Sequence, residues 1–113
     1  MDSNNDFTVD EKRYGNLSNF VKELHNAGMH FVPILDPGVS GCEPRGSYPP
    51  YDLGVQLNAF VNDVDGKPFV GKVWNKNCTV FPDFTNPDTG IYWTTMIKKF
   101  HDSVAFDGLW IVS

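Results

Sequence analysis

Between Asn16 and Ala27 the apolar residues Leu17, Phe20, Val21 and Leu24 recur at helical spacing, with Lys22, Glu23 and Asn26 on the other side. The spacing predicts an amphipathic helix, and Gly28 supplies its C-terminal stop. Phe31-Val32-Pro33-Ile34-Leu35 follows as a continuous apolar run closed by Asp36-Pro37-Gly38, the form of a buried parallel strand before its loop. Pro33 has no N–H to donate, so the strand must forgo one ladder bond there. A second helix is expected to begin near Asn86-Pro87-Asp88, where Asn or Asp can cap, and to carry Trp93, Met96, Ile97 and Phe100 on one face. After Asp107-Gly108, the run Leu109-Trp110-Ile111-Val112 begins another buried strand.

From Pro37 to about Asn86 the chain holds most of its prolines, both cysteines and many glycines, far more residues than an ordinary connection uses. Within it, Gln56 to Asn62 and Pro68 to Trp74 alternate as two short strands would, with Asp65-Gly66 as the hairpin turn between them. The order of helix, buried strand, long irregular insertion, helix and buried strand describes a βα-repeat in an α/β protein. Two parallel strands cannot form a sheet covered on both faces, so we expect neighbours outside this chain and poor stability without them, through aggregation or a molten state.

Composition narrows the classes. With 41% hydrophobic and 14% aromatic residues the chain has the apolar share of a globular protein, and its net charge of −5 comes without a basic stripe, which argues against a nucleic-acid partner. No apolar run approaches the roughly 20 residues of a membrane span. The N-terminus, Met1-Asp2-Ser3-Asn4-Asn5-Asp6, has neither a basic nor an apolar segment, so we expect no signal peptide at this end and a cytosolic protein unless the true N-terminus lies elsewhere. Cys42 and Cys78 make no metal-ligand spacing and are open to pairing or to remaining free, and free or differently paired thiols are the expectation. His25, His30 and His101 are dispersed, each suited to a helix surface or strand edge, and neither a metal site nor a cofactor is expected.

Six strings carry a specific resemblance. Asp6-Phe7-Thr8, Ile34-Leu35-Asp36-Pro37-Gly38-Val39-Ser40, Gly46-Ser47-Tyr48-Pro49-Pro50-Tyr51-Asp52, Gly71-Lys72-Val73-Trp74, Phe81-Pro82-Asp83-Phe84-Thr85-Asn86-Pro87 and Phe106-Asp107-Gly108-Leu109-Trp110-Ile111 occur in the order and spacing of glycoside hydrolase family 31. Across essentially all its length the chain resembles the animal acid α-glucosidase and maltase-type members of that family. The resemblance implies a (β/α)₈ barrel with its active site at the C-terminal ends of the strands. Residues 1–113 would then be a partial barrel, from about the end of the second strand to the fourth. Asn16 to Ala27 would follow the second strand, Phe31 to Leu35 would be the third strand, and Leu109 to Ile111 would open the fourth. Residues 37–86 would be a β-containing insertion that shapes the sugar pocket.

Ile34, Asp36, Trp74 and Trp110 match positions that line the glucose subsite in the family. An indole face suits the C–H face of a pyranose, and a carboxylate accepts hydrogen bonds from its hydroxyls. Trp93 on the second helix is expected to fill core, and Asp52, Asp83 and Asp107 are expected to be turn or loop residues rather than acids. Asn75-Lys76-Asn77-Cys78 follows Trp74 where the family usually has Pro-Gly, which makes the carry-over of Trp74 less secure than that of Trp110.

A retaining glycosidase uses two carboxyl groups roughly 5 to 5.5 Å apart, one as nucleophile and one as acid. The family continues after Trp-Ile with Asp-Met-Asn-Glu, its Asp the nucleophile, whereas Val112 occupies that position here and the general acid would lie further on. We therefore expect no catalysis by this chain alone. A truncated piece of an active α-glucosidase that releases glucose from α-glucan oligosaccharides is favoured over a degenerate sugar-binding remnant. Met1 coincides with an internal Tyr-Met-Asp of the family, and Val-Ser is what an unspliced intron donor commonly encodes. Asn16-Leu17-Ser18 and Asn77-Cys78-Thr79 match glycosylation acceptors, and the family implies a lysosomal or secreted parent enzyme.

Overall fold

A computed structural model describes residues 1–73 and 76–112, with nothing taken from the side chains of Lys76 and Asn77. The elements in chain order are α1 (Glu11–Tyr14), α2 (Leu17–Asn26), β1 (Ile34–Leu35), β2 (Val39–Ser40), α3 (Pro49–Gln56), β3 (Gly71–Val73), β4 (Lys76–Val80), α4 (Pro87–Ser103) and β5 (Trp110–Ile111). The chain is a mixed α/β unit with two small sheets. In one, β1 and β5 pair in parallel, with Ile34 beside Trp110 and Leu35 beside Ile111. In the other, β4 lies between β2 and β3 and is antiparallel to both.

The two long helices form where the apolar spacing places them. Asn16 stands at the N-cap of α2, and Gly28 takes φ of +76° two residues beyond its end, a conformation that suits glycine. Asn86 caps α4 by accepting the Asp88 N–H at 3.0 Å, and Pro87 occupies the first turn, where its missing N–H costs no helical bond. The buried stripe of α4 differs from the expected one: Thr89, Tyr92 and Met96 are buried, while Trp93, Ile97 and Phe100 are only partly covered. On α2 only Val21 is fully buried, and Phe20 is half exposed.

The insertion departs most from expectation. Gln56 does not open a strand; it ends α3, whose Pro49 and Pro50 stand in the first turn. A pattern of prolines and glycines reads as loop, yet proline is well tolerated at the start of a helix. Phe60 and Asn62 make only isolated bridges, to Pro82 and Pro68. The Asp65-Gly66 turn does form. Asp63 Oδ1 accepts the N–H groups of Asp65 and Lys67, and Gly66 takes φ of +79°. Strand β4 was not anticipated, because Lys76-Asn77-Cys78-Thr79-Val80 lacks apolar alternation and is recruited by pairing on both edges.

Cys42 and Cys78 are joined in a disulfide, with Cα atoms 5.8 Å apart, which corrects the expectation of free or differently paired thiols. Sequence separation hid this. The antiparallel pairing of β2 with β4, extended by the Gly41 N–H bond to the Cys78 carbonyl at 2.8 Å, sets the two backbones at bridging distance.

The core lies between the insertion and α4. Val39, Tyr48, Ala59, Phe60, Val80, Tyr92 and Met96 form one buried cluster. Phe60 meets Tyr92 edge-on at 5.6 Å and stacks on Tyr51 at 5.8 Å. The Tyr92 hydroxyl donates to the Pro50 carbonyl at 2.6 Å, so the polar end of this buried ring is satisfied and ties α4 to α3. Trp93 packs against the edge of this cluster, meeting Phe7 edge-on at 5.5 Å.

The parallel pair has no such cover. Leu35 is buried, but Ile34 is 39% exposed, Trp110 63% and Ile111 52%. Aligned residues of a parallel pair project to the same face, so Ile34 and Trp110 stand side by side on an uncovered apolar surface. An apolar recess of about 300 Å³ adjoins Ile34, lined by Phe7, Tyr14, Leu17, Phe31 and Phe100 among others.

Candidate functional site

Three of the four sequence-derived site residues converge at the end of the parallel pair. Ile34 and Trp110 are register partners, and Asp36 follows β1 directly. The ladder runs one step further, because the Val112 N–H donates to the Leu35 carbonyl at 3.2 Å. That bond sets the backbone of Val112 beside the last residue of β1. Trp74, the fourth, lies outside the described residues.

Asp36 is held from both sides. Its Oδ1 accepts the Gly38 N–H at 2.9 Å, an Asx-type turn that fits the Asp-Pro-Gly string. Its own N–H donates to Asp6 Oδ1 at 3.0 Å. Gly38 is required here for space: a Cβ would stand 2.8 Å from Thr79 Cγ2 and 3.3 Å from Asp36 Oδ1. Asp36 is 6% exposed.

Asp6 stands in the Asp6-Phe7-Thr8 string, and nothing in a polar N-terminal stretch signals burial. Yet it is 2% exposed, and its Oδ2 has no hydrogen-bond partner among the described residues. Burial, opposed by the Asp36 N–H bond and reinforced by the nearby Asp36 charge, pushes its carboxyl up to about 7. The Tyr48 hydroxyl donates to the Asp6 carbonyl at 3.0 Å. Burial and then the charge of Asp6 raise Tyr48, so its hydroxyl stays protonated. Asn5 Nδ2 and Ser40 Oγ both donate to Glu43 Oε1, at 3.0 and 3.2 Å, tying the N-terminal segment to the turn after β2.

At the other end of the same strand pair, Asp107 Oδ2 accepts the Phe31 N–H at 2.8 Å and lies 2.8 Å from His25 Nε2. Its other oxygen lies 3.6 Å from His30 Nδ1. The Phe31 hydrogen bond first, and His25 second, hold the Asp107 carboxyl below the usual range. Asp107 is thus a connection residue, and the two histidines that look dispersed in sequence meet on it. Asp83 likewise serves its turn, accepting from Thr85 N–H and Oγ1. Asp52 lies in the first turn of α3 and accepts the Gly46 N–H at 3.1 Å. Among the described residues no cluster of His, Cys, Asp and Glu is arranged to hold a metal ion, and no helix is long and apolar enough to cross a membrane.

The chain belongs to the glycoside hydrolases. The chain is a member of glycosyl hydrolases family 31, whose TIM-barrel domain matches residues 1–112. It is 42% identical over 111 residues to lysosomal alpha-glucosidase of Mus musculus and 44% identical over 115 residues to intestinal sucrase-isomaltase of Oryctolagus cuniculus. Each match covers 98% of this chain, but only 12% of the first protein and 6% of the second. In structure it is similar to the glucosidase II alpha subunit, with a TM-score of 0.81 at 24% identity, over 98% of this chain and 12% of that one. That likeness bears on the fold.

Proposed function

We propose that this chain is the segment of an α-glucosidase barrel from about the end of its second strand to its fourth, with β1 and β5 as the third and fourth strands. Residues 37–86 form the active-site insertion. Ile34, Asp36, Trp74 and Trp110 line the subsite for a terminal α-linked glucose of a maltose-like or glycogen-like chain. The parent enzyme is a retaining exo-acting hydrolase of the lysosome or the secretory route. The observation that carries this reading is the register of Ile34 with Trp110, beside Asp36 at the C-terminal end of a parallel pair, where barrel enzymes bind substrate.

In this reading the geometry divides the labour. The Trp110 indole and Ile34 supply an apolar floor for the sugar ring, and Asp36, fixed by Gly38 and Asp6, accepts hydroxyl hydrogen bonds. Displacement at the anomeric carbon needs a carboxylate nucleophile, and Val112 at that position has none, so no turnover is expected of this chain alone. Sequencing the transcript across the codon for Ile111 tests the assignment. Asp-Met-Asn-Glu after Ile111 is the expected result. A genuine Val-Ser and stop would overturn the catalytic reading in favour of a non-catalytic carbohydrate-binding remnant.

A further inference from the structure

Two acceptor sequences for N-linked glycans, Asn16-Leu17-Ser18 and Asn77-Cys78-Thr79, fall in opposite surroundings once the chain is folded. The second lies in β4, the middle strand of the antiparallel sheet. Thr79 is fully buried in register with Ser40, and Cys78 is bridged to Cys42, so the hydroxyl that completes this acceptor is out of reach after folding. The first lies where α1 gives way to α2, with Asn16 and Ser18 both exposed and Leu17, not proline, between them. Asn16 stands at the N-cap of α2 without a side-chain cap bond. Its Oδ1 accepts from Asn19 Nδ2 at 2.7 Å, which leaves Nδ2, the atom a glycan takes, outside that bond. Its carbonyl accepts the Phe20 N–H at 3.1 Å, so a sugar on Nδ2 disturbs neither the Asn19 contact nor the helix ladder. A shallow recess of about 200 Å³ adjoins Asn16, lined by Tyr14, Leu17 and Phe20 among others. Tyr14 is 58% exposed and Phe20 51%, and aromatic faces of this kind suit the apolar C–H face of a first sugar.

We propose, resting on the lysosomal or secretory route given above for the parent enzyme, that Asn16 is an acceptor site for an N-linked glycan. In the transfer, Asn16 Nδ2 loses one proton and forms a bond to the anomeric carbon of an oligosaccharide carried on a polyprenyl diphosphate lipid. That carbon's bond to the diphosphate breaks, and the lipid diphosphate leaves with the electron pair, so the step needs neither oxidant nor reductant. The Asn16 Oδ1 is retained in the product and keeps its bond from Asn19. The Cys42–Cys78 bridge supports the compartment independently of the acceptor sequence, because disulfides form and persist in the oxidising spaces of the secretory route, where glycans are attached.

The test expresses the whole 113-residue chain behind a cleavable secretory signal peptide in insect cells and examines the total cell extract. Glycans are attached to the chain as it enters the secretory route, so the readout does not depend on the stability of the isolated chain. Treatment with peptide N-glycosidase converts a glycan-bearing asparagine to aspartate, and mass spectrometry of the peptides then reads each position. The expected result is a slower-migrating species that the enzyme collapses, with an aspartate in place of Asn16. Asn16→Gln is expected to abolish that modification. So is Ser18→Ala, which keeps the asparagine and removes only the hydroxyl, whereas Asn77→Gln should leave the occupancy of Asn16 unchanged. An unmodified Asn16 in the wild-type chain, or modification of Asn16 that survives Ser18→Ala, overturns the proposal. Because the signal peptide is supplied, that failure leaves the secretory reading of the parent standing. A glycan found on Asn16 of this chain but absent from the parent enzyme purified from its own cells upholds the acceptor site and overturns the secretory reading instead.

Discussion

The amide of Asp36 rests on the carboxyl of Asp6 at 3.0 Å, so the first charged residue after the parallel strand is anchored by a segment thirty positions earlier. The consequence is a fold whose stability is linked to protons at an unusual end of the pH scale.

Asp6 binds its proton more tightly folded, at about 7, than its ordinary value of 3.8. Its contribution is fully present below the ordinary value and is lost as pH rises through the folded one. Urea unfolding followed by tryptophan fluorescence is expected to show stability falling between pH 4 and 7, by at most roughly 4 kcal/mol from this group. Asp6→Asn should flatten that slope. Stability that rises across the same interval would contradict the assignment.

Asp107 works in the opposite sense. Its carboxylate accepts the Phe31 N–H and contacts His25, and it is held below 3.8. Its stabilisation is present above the ordinary value and disappears as pH falls through the lowered one. In Asp107→Ala, faster hydrogen exchange at Phe31 and Trp110 is expected at pH 6, because the carboxylate that joins the two strand entries is gone. Unchanged exchange at both amides would count against it.

Gly54 has no room for a side chain. A Cβ there would stand 2.2 Å from Phe60 Cζ and 2.5 Å from Cε2, inside the aromatic cluster. Gly54→Ala is expected to cost about 3 kcal/mol, the upper end for overpacking, seen as an earlier urea midpoint with an unchanged slope.

The Cys42–Cys78 bridge closes a loop with a sequence separation of 36. Loop-closure entropy puts its removal at about 3 to 4 kcal/mol. Cys42→Ser/Cys78→Ser should therefore unfold at lower urea than the oxidised wild type. A variant equal to wild type would mean that β2 and β4 hold each other without the bridge.

The uncovered face predicts association. Ile34 and Trp110 are exposed side by side on a two-stranded sheet with open edges. Sedimentation velocity should show concentration-dependent self-association that Ile34→Lys reduces. A wild-type chain that stays monomeric as concentration rises would argue against it.

Periodicity and punctuation were enough for the two long helices and for the parallel strands around Leu35 and Trp110. Their signals are local: Leu17, Val21 and Leu24 repeat within one helix, and Asn86-Pro87 caps the other from adjacent positions. Ile34, Asp36 and Trp110 were reached through resemblance, and the parallel register sets the first beside the third. Tertiary structure alone decided the rest. Helix α3 is not legible locally because its opening prolines carry the same signal as a loop, and β4 is not because a polar strand is stabilised by its neighbours on both edges. The disulfide depends on the β2–β4 pairing, and the shift of the buried α4 stripe to Tyr92 depends on the insertion against which that helix packs. Asp6 is the clearest case: in sequence it is one more acid in a polar stretch, and only folding removes it from water and sets its carboxyl under Asp36. Burial and long-range hydrogen bonding are properties of the folded surroundings, and no run of adjacent residues encodes them.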